Sequence, residues 1–433
     1  MRQAIVLICL FLSFSNAHAG LGIQHWVTSN GAKVYYVPSP GLPMVDIEVV
    51  FNAGGARDGK APGVAKLTNA LLDQGAGALS ADQIAVVMDD VGAQMGNSSL
   101  RDMAIVTLRS LTDPDYLKPA LKVYADVIQA PTFPVADFKR IKQQMLLIVE
   151  KAKESPASIA SKAFYKAVYG DHPYGQPAGG TEASLTAITQ EQVKAFYQQY
   201  YVANNALVAI VGDVDRAQAE SIAETVTAKL AKGKAADKLP EAKPLTEAKT
   251  IHIDFQSSQS TIVMGQVGMH RQEPDYLPLY IGNHSLGGSG LVAILAEEIR
   301  EKRGLSYSTY SYFSPMAEKG PFISSLQTKN DQVPEASKVL SETIAKYIET
   351  GPTAEQMSAS VNNITGGFAL RVDSNAKILQ YLAMIGFYNM PLDYVDTFIT
   401  RARAVTHSQI KAALKKHLNP NAMVMVVVGK AAK

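Results

Sequence analysis

Apolar positions along this chain fall into two registers. Short runs and alternations of apolar residues over 25–29, 33–37 and 45–51 predict strands, and Asn30-Gly31 is a strong hairpin turn between the first two. Helical spacing follows over 116–128, 136–154 and 158–168. The same order then returns, with strands over 250–255 and 260–266 and helices over 275–286, 291–301, 335–349 and 354–371. Strands followed by helices within each half predict an α+β fold, not an alternating βαβ one.

The chain also repeats itself. TQEQVKAFYQQYYVANNALVAIVG at 189–212 aligns without a gap on THSQIKAALKKHLNPNAMVMVVVG at 406–429. Lys194 pairs with Lys411, Asn204 with Asn421 and Gly212 with Gly429. Each copy reads as an amphipathic helix, an Asn-containing turn and a buried apolar strand, 206–211 or 423–428, which implies internal duplication. Between the halves, 228–249 is rich in Lys, Ala, Glu and Pro and poor in aromatics. It reads as a solvated tether; a helix continuing from the first half would be stopped by Pro240 and Pro244. The expected organisation is a first domain over 20–230, a linker over 231–249 and a second domain over 250–433.

Composition narrows the class. At 433 residues and 47% hydrophobic, the chain can build two cores. A net charge of +2, from 41 basic and 39 acidic residues, gives no reason to invoke nucleic acid or an anionic membrane. Residues 1–19 read as a signal peptide: Arg2, an apolar stretch over 4–14 too short to span a bilayer, and Ala17-His18-Ala19 before Gly20. A buried N-terminal helix is the alternative. Cys9 is the only cysteine and would leave with the signal, so the mature chain would have no thiol or disulfide chemistry. No later segment has about 18 uninterrupted apolar residues, so no membrane span is expected. The expected location is the periplasm of a Gram-negative bacterium.

Five stretches, taken in order and spacing, resemble the M16 metallopeptidase family in its two-domain M16B form. They are Asn52-Ala53-Gly54-Gly55-Ala56-Arg57-Asp58, the segment 63–75, Tyr169-Gly170-Asp171-His172-Pro173-Tyr174-Gly175, Leu286-Gly287-Gly288-Ser289-Gly290 and the segment 299–307. The resemblance covers nearly all of the mature sequence. It implies two homologous α/β-roll domains, each an antiparallel sheet packed with helices, joined by the linker. Active members hold zinc with an inverted His-x-x-Glu-His motif and a Glu about 77 residues beyond it, the motif's own Glu serving as general base. Those positions fall here on Lys66, Asn69, Ala70 and Leu147. An ammonium, an amide and two hydrocarbon side chains supply no ligand set, so no metal and no cofactor is expected in this chain. Lys66 reads as a solvated helix residue, and Glu150, the nearest carboxylate to Leu147, lies almost a turn away. None of the eight histidines has metal-ligand spacing, and His172 reads as ordering its own loop. There is no Gly-x-Ser-x-Gly elbow, Cys nucleophile or P-loop; Gly287-Gly288-Ser289-Gly290 lacks the Lys-Ser/Thr of a phosphate-binding loop.

The second half keeps what the first lost. By the same resemblance, Arg300 and Tyr307 match an Arg and a Tyr that bind substrate and stabilise the transition state opposite the zinc. A guanidinium and a phenol suit the developing oxyanion of peptide hydrolysis. Gly287, Gly288, Ser289 and Gly290 would let substrate approach the backbone closely. Read without the resemblance, the same segment is a helix C-terminus, with basic Arg300, Lys302 and Arg303 in the last turn and Gly304 closing it. The resemblance implies a non-catalytic subunit of a heterodimer. Its partner would be an M16B subunit with an intact His-x-x-Glu-His and bound zinc, and the two would enclose an extended peptide. The alternative is a peptide-binding or scaffold protein with no part in proteolysis. Alone, the chain is expected to have no zinc peptidase activity.

Overall fold

The computed structural model describes residues 20–430; the signal peptide expected over 1–19 lies outside them. The strands are β1 (Gln24–Val27), β2 (Lys33–Pro38), β3 (Met44–Phe51), β4 (Gly75–Ala76), β5 (Leu79–Ser80), β6 (Gln94–Ser99), β7 (Ala104–Leu111), β8 (Ala206–Gly212), β9 (Lys249–Asp254), β10 (Gln259–Val267), β11 (Thr309–Phe313), β12 (Pro321–Lys329) and β13 (Val424–Gly429). The first half's helices begin with α1 (Val64–Ala70), α2 (Ala81–Asp90), α3 (Pro114–Gln129), α4 (Val135–Ala152) and α5 (Pro156–Tyr169).

Two sheets carry the fold, one in the order β1-β2-β8-β3-β7-β6 and the other β11-β12-β10-β13-β9, with β4 and β5 a small ribbon apart. Reversed, the second order matches the first from β2 to β6, element for element. The duplicated segment supplies the same inner strand, β8 or β13, in each half. Every residue of β8 is buried, as its unbroken apolar run requires of a strand covered on both faces. The expected antiparallel sheets need one correction. β2 pairs parallel with β8 and β9 parallel with β13, because in each half a long crossover separates the two strands.

Each half covers the other's sheet. Val34, Tyr36, Ile47, Val49 and Val208 face the first half's own helices. Tyr35, Val37, Val50, Leu207, Ala209 and Val211 share a core with Ile378, Leu379 and Leu382 of the second half. The helix Asn375–Phe387 lies against β2, β3 and β8, and α5 lies against β10 and β13. Phe164 and Val168 of α5 join Val263, Ile323, Val426 and Val428 in a third core.

Not every expected helix is regular along its length. The segment expected as a helix over 291–301 is a tight turn at Gly290–Val292, a short helix at Ile294–Ala296 and a wide π-type turn at Glu297–Glu301. The segment 275–286 is α-helical over Tyr276–Asn283 and continues as a π-type turn over His284–Gly288, past its expected end, whereas 354–371 is helical only over Ala354–Gly366 before a further tight turn. The tether between the halves has no helix or strand from 231 to 248, yet it is not loose. Ala242 is buried, the Asn204 side chain donates to the Gly233 carbonyl at 2.7 Å, and His172 Nε2 lies 2.8 Å from the Pro240 carbonyl.

Candidate functional site

Helix α1 carries Lys66, Asn69 and Ala70, three of the four degenerate positions, beside the open edge of the first sheet. Its N-terminus is held by Asp58, whose carboxylate accepts from the Gly63 and Ala65 N–H groups at 2.7 and 2.8 Å. Burial pushes that carboxyl up to about 7, against the lowering pull of the two donors. Asn69 is buried, and its amide donates to the Ile105 carbonyl at 3.3 Å; Asn97 of β6 donates to the Asn69 carbonyl at 2.8 Å. Lys66 and Ala70 are half-buried, while Leu147 on α4 is 54% exposed. Zinc does not fit here: the one nitrogen at the base position is an amide spent on a carbonyl, and Ala70 and Leu147 have no donor atom.

The glycine-rich run stands against β11 as α1 stands against β6, so the two halves present equivalent edges. Gly287 is buried with no room for a side chain, since a Cβ there would lie 2.4 Å from Ser311 Oγ and 2.5 Å from Ser311 N. Its role is to let this run reach the strand. Gly288, Ser289 and Gly290 reach the surface, next to Leu291 and Val292, which are 63% and 84% exposed.

Arg300 and Tyr307 are brought together. The Arg300 Cζ lies 4.5 Å from the centre of the Tyr307 ring, and Tyr307 is 82% exposed. Gly304, with φ of +62°, donates to the Arg300 carbonyl at 2.9 Å, and Leu305 donates to the Ile299 carbonyl at 2.9 Å. The helix-end reading and the paired reading therefore describe one turn, which folds the chain back and lays the phenol under the guanidinium. The neighbouring cations are already engaged: Lys302 binds Glu297 and Glu298 at 2.8 and 2.6 Å, and Arg303 binds Glu298 at 2.7 Å. Among the described residues Arg300 pairs only with the exposed Glu301, at 3.3 Å. The structure does not join this pair to the degenerate positions. Helix α1 packs on β6, β7 and α4, whereas the Arg300 turn packs on the helix Val333–Thr350.

A polar strip on the first sheet went unread in the sequence. Arg109 on β7 binds Asp46 on β3 through two bonds of 2.7 and 3.2 Å, and Glu48 lies two residues along on the same face. Thr107 faces Glu48 across the ladder, and Gly96 of edge strand β6 faces Thr107. The available signal was the alternation of Asp46 and Glu48 with Val45, Ile47 and Val49, which puts charges on one face of an otherwise apolar strand.

Comparison with known proteins shows the family and the fold. Residues 33–182 match the family described as Insulinase (Peptidase family M16), and residues 187–364 match the one described as Peptidase M16 inactive domain. A Bacillus subtilis protein named Uncharacterized zinc protease YmxG is 24% identical over 82% of this chain and 86% of its own length. A Helicobacter pylori protein named Non-peptidase homolog YmxG is 23% identical over 92% of both chains. A crystal structure from Pseudomonas fluorescens, described as a peptidase M16 inactive domain, superposes with a TM-score of 0.92 at 41% identity, covering 95% of this chain and 99% of that one.

Proposed function

The chain belongs to the M16 peptidase family, and we propose that it serves there as a non-catalytic subunit that completes a partner's zinc site. The observation that carries this reading is the Arg300–Tyr307 pair, stacked and solvent-facing, in a chain whose own metal positions are Lys66, Asn69, Ala70 and Leu147. A cation–phenol pair whose one internal anion is the exposed Glu301, at 3.3 Å, is suited to a charge that develops on bound substrate. The partner would carry an intact His-x-x-Glu-His and the zinc. The open edges β6 and β11 would border the space where an extended peptide lies, with Gly288, Ser289 and Gly290 allowing close approach to the second. Both subunits would act after export to the periplasm.

The test is reconstitution with an intact M16B partner encoded in the same genome. Arg300→Ala should lower kcat/KM of the mixture by about 10²-fold and Tyr307→Phe by about tenfold, with the complex still forming. Unchanged activity in both variants would sink the proposal and leave a peptide-binding or scaffold role.

A further inference from the structure

In the second half, the start of the helix Tyr276–Asn283, residues 390–394 and the helix Phe398–Ala404 border a cavity of about 400 Å³. Arg271 and Arg401 both line it. Six buried side-chain polar atoms lack a hydrogen-bond partner among the described residues, and two of them are the Nε atoms of these arginines. Arg401 gives one bond, from Nη2 to the Tyr394 carbonyl at 3.0 Å. What holds the two guanidiniums is aromatic. The Arg401 Cζ lies 4.8 Å from the Tyr394 ring centre, and the Arg271 Cζ lies 5.6 Å from the ring centres of Tyr276 and of Tyr388.

Glu273 is the one acid in the cavity wall, and it is committed elsewhere. Its carboxylate oxygens lie 3.3 Å from Lys416 Nζ, 3.5 Å from His417 Nε2 and 3.4 Å from His270 Nε2. Among the described residues no carboxylate forms an ion pair with Arg271 or Arg401. Guanidinium is charged at every working pH and offers five donors in a planar fork. Folded proteins satisfy such buried donors almost without exception. The two Nε atoms are themselves closed off, but the guanidinium forks that carry them line one small cavity, are fixed by ring faces and lack an internal anion, which leaves a place for an external one.

We infer that this cavity binds a small multivalent oxyanion of the phosphate class, gripped by Arg271 and Arg401. The site is separate from the Arg300–Tyr307 pair and does not depend on the peptidase reading. Two forks suit a dianion with several oxygens better than a single carboxylate. The experiment is isothermal titration of the purified full chain with inorganic phosphate, with sulfate and with acetate, at ionic strength held constant with chloride. Saturable one-to-one binding of phosphate and sulfate is expected, with acetate weaker. Arg271→Gln and Arg401→Gln should each weaken phosphate at least about tenfold, and Arg271→Lys, which keeps the charge and loses the fork, by less. Circular dichroism in chloride identifies folded variants. Should Arg401→Gln fail to fold, the two Arg271 variants carry the test. Heats of dilution alone would mean the donors are met by water and would overturn the inference. So would phosphate binding untouched by Arg271→Gln, or acetate binding as tightly as phosphate.

Discussion

Glu48 is a buried acid with no cation paired to it among the described residues. On β3 the residues Val45, Ile47, Val49 and Phe51 point into the first half's own core, while Val50 points into the core shared between halves. Glu48 lies on the shared side and is 6% exposed. Its neighbour Asp46 has Arg109; Glu48 forms no ion pair among the described residues, and burial pushes it up to about 7. The folded chain therefore keeps a proton that the unfolded chain releases above the ordinary carboxyl range. With more protons bound folded than unfolded, stability is fullest below about pH 4.5 and falls as pH rises through about 7. Glu48→Gln should remove Glu48's share of that slope and leave that of Asp58. We expect a gain of at most about 3 kcal/mol at pH 8 and little change at pH 4, read from urea unfolding at both. Equal effects at the two values would show that Glu48 is not the titrating group. Asp58 shifts in the same direction, but its carboxylate caps α1, so replacing it would mix two effects.

Among the elements, the run around Gly287 shows how close packing and function share a segment. Gly287→Ala would drive a methyl against the Ser311 backbone, which cannot yield without moving β11 and its exposed Tyr310 and Tyr312. A loss of about 1–3 kcal/mol is expected by thermal unfolding, with the Arg300 turn intact; no loss would mean that the edge strand shifts freely. The peptide contact read into the four-residue run in the sequence is thus open only to Gly288, Ser289 and Gly290. Legibility followed the same physics throughout. β8 and β13 were readable because long apolar runs have few other fates, and β3 because Val45, Ile47 and Val49 alternate at the strand period. β6, with the sequence QMGNSS, was not: it is a strand because β7 offers a ladder, and its own residues are poor strand formers. The helix Asn375–Phe387 was missed for the opposite reason. It is apolar almost all round because it is buried between the halves, and no polar face marks its period. The spacing of Arg300 and Tyr307 was legible, but their stacking needed the turn at Gly304.

At the scale of the whole molecule, the question is whether two duplicated halves behave as two domains. Each sheet is sealed by a helix from the other half, so separating them would expose both shared cores. Asp102, in the turn between β6 and β7, fastens the join. Its carboxylate accepts from the Tyr174 hydroxyl at 2.7 Å within the first half, and from the Ala317 N–H at 2.8 Å and the Tyr388 hydroxyl at 3.2 Å in the second. Two of the stretches that carried the family resemblance position that turn. Gly54, Gly55 and Ala56 donate to the carbonyls of Asp102, Leu100 and Arg101, and Arg101 donates to the carbonyls of Tyr174 and Gln176. Their place in the sequence pattern is explained by the clasp and not by catalysis. Asp102→Ala strands three donors in a buried junction, each worth about 1 kcal/mol or more, so a loss of about 3 kcal/mol is expected by urea unfolding. Because the cores are shared, the variant should still unfold in one transition seen alike by circular dichroism and tyrosine fluorescence. Two resolved transitions would show that the halves fold separately and that the clasp is all that joins them. A single, earlier transition would mean that the degenerate half and the Arg300 half are held in fixed register.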